Sequence, residues 1–210
     1  SDGYVLSGYE KFSTNYDGRL TKLNSSGQLQ WNATYGSTGD DTLSSVVSAS
    51  DGSLIAIGTT TSYGSGNQLW IVKANSSGAM QWNKTYGGAG TELGYQIRNT
   101  SDGNFIIVGS TSSYGGGGND LWLVKINPSG DMLWNMTLGG AGDELGEDVR
   151  QTSDGGYVLA GSYNSTGSVG QHDIWLIKLS SPASVAIYSP ADGATINSSS
   201  VTFNWTASSF

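Results

Sequence analysis

Four phrases return in the same order about every 51 residues along this chain, and that periodicity constrains its fold more tightly than any single residue. The first phrase, Ser1-Asp2-Gly3-Tyr4-Val5-Leu6-Ser7-Gly8, comes back around Asp51-Gly52, Asp102-Gly103 and Asp154-Gly155. The second, Leu69-Trp70-Ile71-Val72-Lys73, recurs at Leu121–Lys125 and Ile174–Lys178, with a degenerate copy ending at Lys22. The third is a Trp-Asn-x-Thr run at Trp31, Trp82 and Trp134 that leads into a glycine-rich stretch and an acid. The fourth is weaker: Val46-Val47, Tyr95-Gln96-Ile97 and Asp148-Val149 feed the next Ser-Asp-Gly.

Each unit thus holds four apolar or aromatic runs of about five residues, separated by Gly, Ser, Asn and Asp clusters that supply positive φ and Asx turns. That pattern reads as four short antiparallel strands per unit, and no 3.6-residue periodicity competes with it. The Leu69–Lys73 run is continuously apolar rather than alternating, so both of its faces are expected to be covered, as in a blade packed between two others. The expected fold is all-β: a β-propeller of four-stranded antiparallel blades, four of them, near 1–50, 51–101, 102–153 and 154–207. Trp70, Trp122 and Trp175 are the expected wedges between blades, because a buried Trp removes about 150–250 Å² from water.

Composition excludes several functions. A net charge of -8 repels phosphate backbones, and no Lys/Arg cluster reverses that field locally, so nucleic acid is not an expected partner. The absence of Cys removes disulfides, thiolate metal sites and a Cys nucleophile. No apolar run reaches the roughly 20 residues of a membrane span.

The phrases around Gly156-Tyr157-Val158-Leu159-Ala160-Gly161, Asp120–Lys125, Ser129–Asn135 and Gly139–Val149 resemble the propeller-type repeats of archaeal and some bacterial cell-surface proteins of the surface-layer-like kind. The resemblance covers residues 1–179 and implies a secreted, modular, non-catalytic protein of a cell surface or extracellular assembly. Kelch and quinoprotein propellers are similar more distantly. The tail, residues 182–210, departs from the repeat and resembles the start of an immunoglobulin-like or fibronectin-like module. Its two strand-like runs, Val185–Tyr188 and Val201–Trp205, are too few for a sandwich. Either they begin another module, or they complete blade four, their own or a neighbour's. Residues 1–181 are then the propeller proper, and self-association through the C-terminal strands is the expected partnership.

Catalysis needs unlike residues brought together, whereas this repeat spreads like residues apart. His172, the only His, stands at a turn position where the previous unit has Asn119. Gly64-Ser65-Gly66 lacks the strand-turn-helix setting of a nucleophile elbow. A quinone-dependent enzyme fails on blade number and on the missing cysteines. Asp40, Asp41, Asp143, Glu144, Glu147 and Asp148 recur in one loop, but the second copy reads Thr91-Glu92 and no Asp-x-Asp-x-Asp-Gly spacing occurs, so a solvated acidic loop is expected rather than calcium. Asp17, Asp120 and Asp173 share one repeat position and read as Asx turns. Tyr63, Tyr86 and Tyr114 could stack on sugars in a carbohydrate- or ligand-binding propeller of a secreted adhesin, the alternative reading; packing is their ordinary role. The expectation is no catalytic residue, no cofactor and no metal.

Chemistry done to the protein is better supported. Asn-x-Ser/Thr occurs at Asn24, Asn32, Asn75, Asn83, Asn99, Asn135, Asn164, Asn197 and Asn204, and three of these repeat at one strand position. Strand alternation puts Asn32, Asn83 and Asn135 opposite the preceding Trp, so the core keeps Trp while the sequon faces out. Asn127 is excluded by Pro128. An extracellular glycoprotein bearing covalent N-glycans follows as the expectation.

Overall fold

A computed structural model describes residues 3–163, 173–180 and, for the backbone, 184–188. Fifteen strands are present among them. The first sheet holds β1 (Tyr4–Lys11), β2 (Tyr16–Leu23) and β3 (Leu29–Tyr35). The second holds β4 (Asp41–Ser48), β5 (Leu54–Thr60), β6 (Gln68–Ala74) and β7 (Met80–Tyr86). The third holds β8 (Glu92–Asn99), β9 (Phe105–Thr111), β10 (Asp120–Ile126) and β11 (Met132–Leu138). The fourth holds β12 (Glu144–Gln151), β13 (Tyr157–Tyr163), β14 (Asp173–Ser180) and β15 (Ser184–Tyr188). Every sheet is an antiparallel meander in chain order, which is why turns of a few residues suffice to connect its strands.

Hydrogen bonding divides the chain one strand away from the sequence repeat. The run that closes each repeat, as at Val46-Val47, is the first strand of the following sheet: β4 pairs with β5, β8 with β9 and β12 with β13. The Ser-Asp-Gly phrase is therefore a hairpin turn inside a sheet, not a boundary between sheets. In the second sheet Ala49 N–H donates to Ser53 O (2.8 Å), Gly52 adopts φ 78°, and the Asp51 carboxylate accepts the Ser53 N–H (2.9 Å). Only glycine takes that φ without strain, and Asp51 supplies the Asx turn that fixes it. Lys73, at the end of β6, closes the turn by an ion pair with Asp51 (3.0 Å), and Lys125–Asp102 (2.6 Å) and Lys178–Asp154 (2.8 Å) repeat the arrangement.

The sheets stack face to face in order, with one apolar cluster at each junction. Trp70 packs with Leu20, Tyr35, Leu43 and Val72 between the first and second sheets. Trp122 packs with Ile55, Ile57, Leu69 and Ile71 between the second and third, and Trp175 with Ile106, Val108, Leu121 and Leu123 between the third and fourth. All three tryptophans are the expected wedges. Along one edge β4, β8 and β12 approach one another, so these are the inner strands and β3, β7, β11 and β15 the outer ones.

Continuous apolarity means double-sided burial in the middle of the stack and not at its ends. In β6 and β10 both faces are buried, as their sequence predicts. In β14 the same pattern leaves Ile174 75% and Leu176 47% exposed, because no sheet covers that face among the described residues. At the other end Tyr4 and Leu6 are 58% and 52% exposed for the same reason. The tail run at Val185–Tyr188 lies in β15 and pairs with β14 of its own chain, completing the fourth sheet. The run at Val201–Trp205 lies outside the described residues, so the expected four blades are seen as four sheets of three or four strands.

Candidate functional site

The repeated sequons sit on the outer strands. Asn32, Asn83 and Asn135 occupy equivalent places on β3, β7 and β11, each after a Trp of the opposite face. On β3 the alternation is simple: Asn32 and Thr34 are exposed while Trp31 and Ala33 turn toward the second sheet. On the next two strands the asparagine also has internal work. The Trp70 indole N–H donates to Asn83 Oδ1 (3.3 Å), and the Trp122 indole to Asn135 Oδ1 (3.1 Å). A glycan bonds to Nδ2 and leaves Oδ1 free to accept, so the wedge and a sugar are compatible at one residue. Sequence reasoning missed these pairs, although the constant 13-residue spacing from Trp to Asn was there to be read. The first sheet has Arg19 in the Trp place, so Asn32 has no indole to bind.

The remaining described sequons differ. Asn24 and Asn75 sit in the turns before β3 and β7, where their Oδ1 atoms accept backbone N–H groups from Gln28 (2.9 Å) and Ala79 (3.0 Å) as Asx turns. Asn99 Nδ2 donates to Ser48 O (3.0 Å) in the neighbouring sheet, so a sugar there leaves a single N–H to keep that bond. Asn164, Asn197 and Asn204 lie outside the described residues, as does His172.

The acids are not a solvated loop throughout. Asp40 and Glu147 are exposed, Asp143 and Asp148 half-buried, and Arg98 pairs with Asp148 (3.0 Å). Asp41 and Glu144, however, are buried at the starts of β4 and β12, as is Glu92 on β8. The reason is local: each acid accepts a backbone N–H four residues earlier, Ser37 N (2.9 Å), Gly88 N (3.0 Å) or Gly140 N (2.8 Å), and so holds the glycine-rich loop that joins two sheets. Thr60 and Ser62 also donate to Asp41, and Thr111 donates to Glu92 (2.9 Å). Asp17 and Asp120 lie beside these acids from the preceding sheet, flanking the same glycines, Gly36 and Gly139. In the middle copy the partner is Gln68, whose amide donates to Glu92 (3.4 Å). No group of three or more His, Cys, Asp or Glu among the described residues is placed to hold a metal ion.

Two acids facing each other in a buried site repel. Burial pushes Asp120 up from its ordinary value, and burial followed by repulsion from Asp120 and Asp143 pushes Glu144 up. A carboxyl whose folded pKa is raised stabilises the fold when protonated, and that stability is lost as pH rises past its unfolded value toward the folded one. Asp51, Asp102 and Asp154 shift the other way, held down by hydrogen bonds from Ser53, Lys125 and Lys178, and their contribution is lost progressively as pH falls from the ordinary carboxylate value toward their depressed ones. The melting temperature is therefore expected to rise as pH falls from 7 toward about 4.5. Asp120→Asn supplies the amide that Gln68 supplies one copy earlier; it should add about 1 kcal/mol at pH 7 and flatten the acid-side rise. Thermal melts across pH check both; a variant that is less stable at pH 7 contradicts the repulsion.

The three tyrosines considered for sugar stacking are tied into the fold. Tyr63 and Tyr114 lean on Trp70 and Trp122 at 6.0 and 5.8 Å, and their hydroxyls donate to Gly36 O (3.3 Å) and Gly87 O (3.0 Å) of the preceding sheet. The Tyr86 hydroxyl donates to Gly130 O (2.7 Å) and accepts Met132 N–H (3.2 Å), linking the second sheet to the third. Tyr35 makes the equivalent link to Gly78 O (2.7 Å), and burial pushes its hydroxyl up to about 12.

Four antiparallel sheets, packed face to face through repeated tryptophans and joined by repeated loops, define a propeller-type repeat protein. A family model described as a domain of unknown function (DUF5122) beta-propeller matches residues 49–80 and 100–132. Those two stretches are equivalent in the fold, each running from the Ser-Asp-Gly turn through β5–β6 or β9–β10 to the start of the outer strand. No curated protein matches the chain. No helix among the described residues is long and apolar enough to cross a membrane.

Proposed function

We propose that this chain is a non-catalytic extracellular structural protein, a glycosylated β-propeller building block of a cell surface or of a filament-like extracellular assembly. The observation that carries the reading is the repeated sequon on the outer strands. A Ser/Thr-rich chain produces sequons by chance and a repeat copies them, but the copied Trp-Asn-x-Thr keeps its sequon on the outermost strand of three successive sheets, opposite a packed Trp. The surface-layer-like repeats that the chain resembles point the same way.

The adhesin reading has less behind it, since Tyr63, Tyr86 and Tyr114 spend their hydroxyls on backbone carbonyls of neighbouring sheets. Self-association through the C-terminal strands is part of the same proposal: Ser184–Tyr188 pairs with its own β14, and Val201–Trp205 lies outside the described residues. Glycopeptide mass spectrometry of protein from its native source tests the central claim. Sugars are expected on Asn32, Asn83 and Asn135 and not on Asn127, while Asn99, whose amide is already committed to Ser48, is expected at lower occupancy. All three outer-strand sites found unmodified would defeat the reading.

A further inference from the structure

Asp-Gly is the dipeptide at which a backbone most readily attacks its own side chain, because glycine has no Cβ to crowd its nitrogen. The glycine nitrogen bonds to Cγ of the neutral carboxyl, whose hydroxyl leaves with the amide hydrogen as water. A second water then opens the succinimide ring at either carbonyl and yields aspartate or isoaspartate. Isoaspartate carries an extra methylene in the main chain, which a tight turn cannot absorb. The sequence holds this pair at Asp2, Asp17, Asp51, Asp102, Asp154 and Asp192, of which Asp2 and Asp192 lie outside the described residues.

Asp51, Asp102 and Asp154 stand at hairpin tips with side chains 56%, 46% and 55% exposed, and each is closed in the same way. The nucleophile is occupied: Gly52, Gly103 and Gly155 donate their N–H groups to the carbonyls of Ala49 (3.0 Å), Thr100 (3.1 Å) and Thr152 (2.9 Å). One carboxylate oxygen, Oδ1, is held by the turn itself. It accepts the N–H of Ser53 (2.9 Å), Asn104 (3.3 Å) or Gly156 (3.0 Å) and the hydroxyl of Ser53, Thr100 or Thr152. The other oxygen, Oδ2, is held from outside the turn by Lys73, Lys125 or Lys178. Those lysines come from the next strand, where they pair with Ile55, Ile106 and Val158.

We propose that Asp51, Asp102 and Asp154 are latent isoaspartate sites, and that Lys73, Lys125 and Lys178 are positioning residues that keep them closed. Bringing Cγ to the glycine nitrogen requires the carboxylate to leave both sets of donors, and the turn alone secures only one oxygen. The lysine also favours the ionised carboxylate, which has no hydroxyl to expel. Hydrogen bonds from Ser53, Lys125 and Lys178 accordingly hold the three carboxyls well below the usual range. The guard ties the chemical lifetime of each turn to the pairing of the strand that carries its lysine. Asp17 is protected by other means: Gly18 lies within β2 and pairs with Tyr9 and Tyr35, so ladders on both sides fix the backbone in its extended form.

The test is long incubation of the full chain at neutral pH, followed by peptide separation and electron-transfer fragmentation, which distinguishes isoaspartate from aspartate at each site. Lys125→Met is expected to raise isoaspartate at Asp102 at least about fivefold, the change in released population that one exposed ion pair supports. Asp51 and Asp17 should stay at the parent's level. Lys125→Arg keeps the charge and should remain within about twofold of the parent at Asp102. Circular dichroism and melting should be unchanged in both variants, since a single surface pair contributes little to stability. Equal isoaspartate at Asp102 in Lys125→Met and the parent would overturn the proposal, as would Lys125→Arg isomerising as fast as Lys125→Met. A matching rise at Asp51 would overturn it too, because it would show general loosening of the chain rather than the loss of one guard.

Discussion

Trp122→Ala is expected to lower the free energy of unfolding by about 3–5 kcal/mol, the range for removing a large aromatic from a packed core. The indole sits between the second and third sheets against Ile55, Ile57, Leu69 and Ile71, residues that are themselves 0–1% exposed and held in strands paired on both sides. Such a site cannot collapse around the void, because the surrounding strands are fixed by their ladders, so the cavity term adds to the lost transfer energy. Tyr114, whose ring lies 5.8 Å from the indole, would also lose its support. Trp122→Phe separates packing from hydrogen bonding: it keeps most of the volume, loses the bond to the exposed Asn135 amide, and should cost about 1 kcal/mol beyond the lost ring area. Denaturant unfolding followed by circular dichroism reads both. A Trp122→Ala variant within 1 kcal/mol of the parent would mean that the sheets do not depend on the wedge.

The second large effect is expected at Gly109, where alanine should cost about 3 kcal/mol. A methyl group there would overlap the Leu93 carbonyl oxygen of β8, and backbone on the inner strand cannot move without breaking its pairing with β9. Gly58→Ala should behave alike against Thr42, since the geometry repeats. Gly8→Ala is the internal control: same register position, no inner strand beside it among the described residues, and an expected change within about 0.5 kcal/mol. Equal costs at Gly8 and Gly109 in the isolated chain would show that β1 already has a partner strand.

Much of the fold was legible because turn and core residues are chosen by local physics. Ser-Asp-Gly encodes a hairpin at Asp51, Asp102 and Asp154, and the Leu69–Lys73 and Leu121–Lys125 runs encode strands buried on two faces. The candidate site was legible in part. Alternation placed Asn32 outward, but the indole bonds to Asn83 and Asn135 needed two strands side by side. The acidic loop was misjudged at Asp41 and Glu144 because carboxylates are normally solvated, and the backbone N–H groups that make their burial tolerable are supplied by the loop's folded shape.

By itself the sequence determined the strand content, the order of the strands, the position of every wedge Trp and the outward face of the repeated sequons, since each depends on the spacing of residues within one unit. Tertiary structure alone decided where one sheet ends and the next begins, which acids are buried, and which copies of an identical pattern are covered. The physical reason is that a repeat specifies the two faces of a sheet but not its neighbours. Ile174 and Leu176 repeat the pattern of Leu121 and Leu123, and only the sheet packed against them makes the latter core and leaves the former exposed.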